Sequence, residues 1–280
     1  MSYRGYFYIL VAATIWGSMA VASKLAFFYN MSYLSLSFYR SLFYFMFATI
    51  FFSFKKTRFD RFLIFVGAIY TASMIISYMA SVYLVGAAFA AFMINTAPIY
   101  VLIVSILLLR EEITKIKILS LLLSITGVYF LTQPEITSNF LGVLAGVLSG
   151  VSYAALSLTT KFYIANRDYE SGVIIIYQLM WLSFIPIGLI AIMLGDPLYI
   201  NLESGILALY IGLFPTGVAY YFYGKGLEDI EVSRVSIVAT FETVAASILA
   251  FVILGELMHV ISYIGGFLII LGISILSTEK

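Results

Sequence analysis

Cysteine is absent from the 280 residues, and histidine occurs once, at His259. The first absence removes disulfides and thiolate metal sites. The second leaves no HExxH zinc motif and no serine–histidine–acid set in the apolar segments, and a metal role for a lone histidine is not expected. No GxxxxGK[ST] loop is present, which argues against an ATP-driven pump. Charge is equally scarce. Asp, Glu, Lys and Arg make up 10% of the chain, and the net charge is +1 with no basic arm, so nucleic-acid binding has no support. A soluble domain carries about a quarter charged residues, and this chain has too few to build a solvated surface. These absences point away from an enzyme and give no reason to expect a cofactor or a metal.

What the chain has in excess is apolar surface. It is 63% hydrophobic, with a mean hydropathy of +1.07, and it needs a lipid bilayer as its solvent. A membrane-crossing helix takes about 20 mostly apolar residues. That template gives ten spans, at 5–26, 33–53, 62–83, 87–109, 115–132, 139–162, 171–194, 203–225, 232–254 and 259–277. The first is too long for a signal-peptide core and lacks a small-residue cleavage site, so it reads as a retained span. The fold class is therefore an all-α polytopic membrane protein. The clearest breaks are KKTRFDR from Lys55 to Arg61, Thr132-Gln133-Pro134-Glu135, Asn166-Arg167-Asp168 and Gly195-Asp196-Pro197.

Lys and Arg set the orientation, because cytoplasmic loops hold them in excess. Arg4, Lys55, Lys56, Arg58, Arg61, Arg110, Lys115, Lys117, Lys161, Arg167, Lys225, Arg234 and Lys280 fall on one face of a ten-span chain, and Lys24 alone on the other. Both termini are expected to be cytoplasmic, in a plasma membrane.

The chain is also duplicated. AAFAAFMINTAPIYVLIVSILLLREEIT, from Ala87, registers without a gap on VSRVSIVATFETVAASILAFVILGELMH, from Val232, at an offset of 145. Asn95 falls on Thr240, Ala97 on Glu242, Pro98 on Thr243, Glu111 on Glu256 and Gly127 on Gly272. Earlier, Trp16-Gly17-Ser18 to Lys24 matches Tyr153-Ala154-Ala155 to Lys161, and Tyr39-Arg40 matches Tyr177-Gln178. Residues 1–133 and 134–280 are then two five-helix repeats. Five is odd, so the second enters the membrane inverted. Inverted repeats of this kind are a transporter architecture with the binding site at the repeat interface.

These halves, with helices ending in LLLREEIT and VILGELMH and a glycine-bearing helix after each, resemble the EamA repeats of the drug/metabolite transporter superfamily. Leu109-Arg110-Glu111 and Leu254-Gly255-Glu256 match its Leu-Gly-Glu pattern, with Arg110 in place of glycine in the first copy. Asn95-Thr96-Ala97-Pro98 fits its mid-helix proline pattern, and Phe241-Glu242-Thr243 lacks the proline. The resemblance implies a ten-helix carrier of small metabolites, amino acids, amines or drugs, often working outward.

Candidate site residues follow from cost. An ionisable group in a membrane core is expensive and normally faces protein or a water-filled cavity. Glu242 lies about ten residues into its span, roughly 15 Å deep, and is the candidate for proton coupling or for holding a cation. Arg40 lies about seven residues into the second span, roughly 10 Å deep, and its planar fork suits a substrate carboxylate or phosphate. The competing reading for both is structural pairing. Gln178 is the neutral counterpart of Arg40. Trp16 and Tyr153 fall near mid-helix beside small residues and suit a ligand wall. Tyr78, Tyr177, Trp181, Tyr220 and Tyr223 are candidates to complete an aromatic lining, against packing or lipid contact. Asn95 would turn inward if Pro98 kinks its helix, and Pro186 and Pro215 could bend theirs. Glu111 and Glu256 read as capping groups at helix ends, and Lys24 and Lys161 as snorkelling side chains. Spans 5 and 10 should brace their own halves at the periphery.

The function these residues support is secondary-active transport of a small amphiphile, with an amino acid as the preferred cargo, by alternating access, with protons as a candidate coupling ion. Two alternatives stand beside it: uptake of a quaternary amine in an aromatic cage, and a membrane scaffold or scramblase with no specific solute.

Overall fold

The computed structural model describes residues 3–53, 59–135, 139–166 and 171–279. Lys55, Lys56, Arg58, Arg167, Asp168 and Lys280 lie outside the described residues. A bilayer core offers the backbone no hydrogen-bonding partner, so a spanning segment must satisfy its own N–H and C=O groups. Among the described residues there are helices and no strands.

In the first half α1 (Tyr3–Phe28), α2 (Tyr33–Ser53) and α3 (Arg61–Val85) are one span each. Helices α4 (Ala87–Ile94) and α5 (Ala97–Leu109) share the fourth span, and α6 (Lys115–Thr132) is the fifth. In the second half α7 (Phe140–Asn166) is the sixth span, and α8 (Gly172–Trp181) with α9 (Phe184–Met193) the seventh. Helix α10 (Leu202–Leu213), a π-turn over Phe214–Val218 and α11 (Ala219–Asp229) form the eighth. Helices α12 (Val232–Ala239) and α13 (Phe241–Leu249), with a π-turn over Ala250–Leu254, form the ninth, and α14 (Val260–Thr278) the tenth. Ten spans return both ends to one face, the terminal face, which carries Arg4, Arg61, Arg110, Lys115, Lys117, Lys161, Lys225 and Arg234 at helix ends. Lys24 sits toward the opposite, far face. Serine and threonine hydroxyls inside the spans mostly bond back to their own helix, as Ser41 does to Ser37 O at 2.8 Å and Thr49 to Phe45 O at 2.7 Å.

The fourth and ninth spans break at matching places, Asn95–Thr96 and Thr240. Pro98 is not what the two breaks share, since the ninth span has no proline. It sits in the first turn of α5, where a missing N–H costs nothing. What they share is side-chain capture of backbone carbonyls: Asn95 Nδ2 to Ala91 O at 2.9 Å, Thr96 Oγ1 to Met93 O at 2.6 Å and Thr240 Oγ1 to Ile237 O at 2.7 Å. Pro186 follows the turn that divides α8 from α9, and Pro215 lies inside the first π-turn. The equivalent spans of the first half, α2 and α3, run unbroken.

Arg110 and Gly255, equivalent in the repeat, both close their helices in the left-handed region, at φ 56° and φ 69°. Both chains then fold back alike, Glu111 N bonding to Ser105 O and Glu256 N to Ala250 O. The turn thus explains the glycine of the pattern, and Arg110 keeps the turn at a steric cost of roughly 1–2 kcal/mol. Replacing Arg110 by glycine is expected to raise stability by about 1 kcal/mol, less what glycine loses in chain entropy, read as a higher melting temperature in detergent.

The fifth and tenth spans do not brace separate halves. Helices α6 and α14 pack on each other. A Cβ on Gly127 would stand 2.7 Å from Gly265 O, and one on Gly265 would stand 2.6 Å from Gly127 O. The two backbones are therefore in contact, as small residues permit between membrane helices, and the outermost helix of each repeat serves as partner to the other.

Candidate functional site

Helix α1 lies against α13 so closely that a Cβ on Gly17 would stand 2.7 Å from Ala246 N. That approach brings Trp16, in the first half, into the same space as Glu242, in the first turn of α13. The space is a cavity between the halves, open in part to its surroundings, with about 50 Å³ accessible to the centre of a water-sized molecule. Among the residues singled out in the sequence, Trp16, Arg40, Tyr78, Asn95, Tyr153, Tyr220 and Glu242 line it.

Trp16 is the hub of the rings. Its indole meets Tyr220 and Tyr153 edge-on, with centroids 5.0 and 6.2 Å away, and its Nε1 donates to Pro215 O at 2.8 Å. The acceptor belongs to the π-turn of the eighth span. The same turn presents Thr216 Oγ1 to Arg40 Nη2 at 3.2 Å. π-Turns leave carbonyls and side chains out of helical register and often mark functional places; this one positions two cavity residues of the first half. Arg40 is only 3% exposed, and its Nε has no partner. Neither Arg40 nor Glu242 joins an ion pair among the described residues. A buried guanidinium donor left unbonded is costly, so the cavity holds a donor for an anion on one half and a carboxylate on the other.

Tyr177, Gln178 and Trp181 do not line this cavity. The Tyr177 hydroxyl donates to Gly217 O at 2.9 Å, Gln178 Oε1 accepts from Asp60 N at 2.8 Å, and Trp181 Nε1 donates to Thr49 Oγ1 at 3.0 Å. Tyr177 and Trp181 do share a face, both resting edge-on against Phe52, but it is turned to α2. Tyr223 stands behind Trp16, bonded to Ser157 at 2.7 Å. Sequence reasoning missed Met19, Met74, Ile75, Ser236 and Ala239, which also line the cavity. Helical spacing was the available signal: Met19 is three residues from Trp16, and Ser236, Ala239 and Glu242 are spaced by three.

The two faces differ. At the terminal face α5 packs against α12, and Glu111 accepts from Val232 N at 2.8 Å, Ser233 N at 3.2 Å and the Ser233 hydroxyl. Beside it, buried Lys117 reaches Glu231 at 2.9 Å, and Arg234 reaches Glu231 at 2.7 Å and Glu279 at 3.1 Å. Burial pushes the Glu231 carboxyl up, but its bonds to Lys117 and Arg234 outweigh this and hold it below its ordinary value. Lys161 does not snorkel; it donates to Leu227 O at 2.6 Å and Ile230 O at 2.8 Å.

At the far face the matching segments are poorly covered. Only Ala90 is buried in α4, and no residue of the Ala250–Leu254 turn is. A vestibule lies here, with Met19 and Tyr78 shared with the central cavity and Ala87, Ala250 and Leu254 along its wall. Lys24 and Glu256 pair at its rim, both exposed. The terminal side is thus tied together by these contacts, and the cavity shares Met19 and Tyr78 with the far-side vestibule.

A profile of the EamA-like transporter family matches residues 3–133 and 140–278. Among similar curated proteins, one from Archaeoglobus fulgidus, described as an uncharacterized transporter, is 27% identical over 208 residues, covering 74% of this chain and 73% of its own. The uncharacterized transporter YwfM of Bacillus subtilis is 25% identical over 149 residues, 53% of this chain and 49% of its own. A solved protein crystal structure superposes with a TM-score of 0.86 at 14% identity, over 99% of this chain and 98% of that one, which speaks to the fold.

Proposed function

Since the chain belongs to the EamA-like transporter family, and is a multi-pass membrane transporter on that ground, we propose that it is a secondary carrier of a small zwitterionic amphiphile. Amino acids with apolar or aromatic side chains are the preferred class. The observation that carries this is the single cavity in which an unsatisfied buried Arg40 and an unpaired Glu242 face the same ring-lined space. A carboxylate fits the guanidinium fork, an ammonium fits Glu242 and the ring faces, and an apolar side chain fits Met19, Met74 and Ile75. Loading such a molecule leaves the site's total charge unchanged, which suits a low-dielectric core.

Residues 1–133 and 134–280 act as the two inverted halves. They expose the cavity to each face in turn, with the tied terminal side and open far side as one of two states. The Lys and Arg excess at the terminal face favours a plasma-membrane protein with cytoplasmic termini, in which the far side is extracellular. Protons on Glu242 are the candidate coupling ion. Export is preferred from the family resemblance.

The rings and Glu242 also suit a quaternary amine, for which Arg40 would be a liability. A scaffold or scramblase has no use for an unsatisfied buried arginine. The experiment is a thermal-shift and competition series with purified protein in proteoliposomes: neutral amino acids are expected to raise the melting temperature and to compete with one another. Stabilisation by choline-like cations and not by amino acids would transfer the site to the amine reading.

A further inference from the structure

Glu111 and Glu256 hold equivalent places, each one residue beyond a left-handed cap at positions 110 and 255. In this structure their partners differ. Glu111 closes on the first N–H groups of α12, at Val232 and Ser233, and takes the Ser233 hydroxyl as well. Among the described residues Glu256 pairs with Lys24 alone, at the exposed rim. The same offset of 145 that relates the acids carries Val232 to Ala87 and Ser233 to Ala88. Those are the opening residues of α4. That helix starts at Gly86 with no side-chain cap among the described residues, and none of them stands within 4 Å of where a Gly86 Cβ would be. The first N–H groups of any helix lack intrahelical partners and attract a carboxylate. One acid is therefore seated on its helix, and its twin stands beside an empty seat.

We infer that Glu111 and Glu256 are reciprocal latches. Glu111 holds the terminal face shut by capping α12, and Glu256 leaves Lys24 to cap α4 at Ala87 and Ala88 when the far face shuts and Glu111 lets go. The inference rests on the two-state carrier reading above. It also accounts for a bias: Ala88 has no hydroxyl to match Ser233, so the far-face latch makes two hydrogen bonds where the terminal one makes three. The far-open state is favoured by that missing bond.

The cysteine-free chain permits a direct test. Ser105 and Ala250 are equivalent at the same offset; Ser105 is fully buried near the terminal face, and Ala250 lines the far vestibule. Single reporters Ser105→Cys and Ala250→Cys are labelled with a polar maleimide in detergent, where both faces meet solvent and no substrate is needed. In the parent, Ala250→Cys reacts fast and Ser105→Cys slowly. Glu111→Gln is expected to speed Ser105→Cys labelling on the order of tenfold, the worth of a charged hydrogen bond, and to slow Ala250→Cys. Glu256→Gln is expected to do the opposite. Two milder changes guard against misfolding: Ser233→Ala should act like Glu111→Gln, and Ala88→Ser, which supplies the missing hydroxyl, should also favour Ser105→Cys labelling. If Glu256→Gln and Ala88→Ser leave both rates at parent values while Glu111→Gln shifts them, the reciprocal latch is wrong and the two-state reading survives. If Ser105→Cys stays unreactive in every variant, both fail.

Discussion

Replacing Arg40 by methionine is expected to make the empty protein at least as stable as the parent, and to weaken binding of a carboxylate-bearing cargo by roughly 10- to 150-fold. The second figure is the worth of charge-assisted hydrogen bonds, about 1.5–3 kcal/mol. The first follows from what Arg40 does without cargo: it is almost wholly buried, has one bond to Thr216 and an unsatisfied Nε. Methionine fills similar volume with no charge to desolvate, and exchanging a poorly satisfied buried ion for an apolar side chain is often neutral or stabilising. A structural arginine behaves otherwise, since its removal would lower the melting temperature. Melting curves and binding isotherms on one preparation separate the two cases. A destabilised Arg40→Met protein with unchanged affinity would remove the anion subsite from the proposal. An amine analogue without the carboxylate should lose little affinity in this variant.

Glu242→Gln is expected to abolish the pH dependence of binding. In the proposed site the substrate ammonium binds the carboxylate form, so a proton and the cargo compete for Glu242. Apparent affinity in the parent should then fall by about tenfold per pH unit once the carboxyl is mostly protonated. The groups that face it from neighbouring helices are Arg40, Tyr78, Tyr153 and Tyr220. Glutamine keeps the shape and cannot titrate, so the variant should bind weakly at every pH. The control is His259→Gln, at the exposed far rim, which should keep the parent profile. A Glu242→Gln protein with the parent's pH profile would assign the residue to packing.

The spans were legible because each is a long apolar run bounded by charge, and the observed ends differ from the sequence reading by no more than four residues. The pairing of Trp16 with Tyr153, and of Glu111 with Glu256, was legible because duplication leaves near-constant offsets, 137 for the first pair and 145 for the second. Rotation about a helix axis was not. Tyr177, Gln178 and Trp181 were expected in the lining and do not line the cavity, because in a membrane helix both faces are apolar and periodicity no longer tells inside from outside. The partnership of α6 with α14 was hidden for the same reason: a lipid-facing and a helix-facing surface have one composition, and only the glycines at 127 and 265 hint at contact. The break at Thr240 was obscured by attention to proline, which the ninth span lacks; what the two breaks share is a side chain bonded to a backbone carbonyl one turn back.

That glycine contact constrains how the molecule can move. Two helices whose backbones touch at Gly127 and Gly265 resist sliding past one another, so in the proposed carrier α6 and α14 would serve as a fulcrum rather than a sliding track. If the carrier alternates as proposed, the remaining eight spans are expected to pivot around that line, with the largest travel at the helix ends farthest from it.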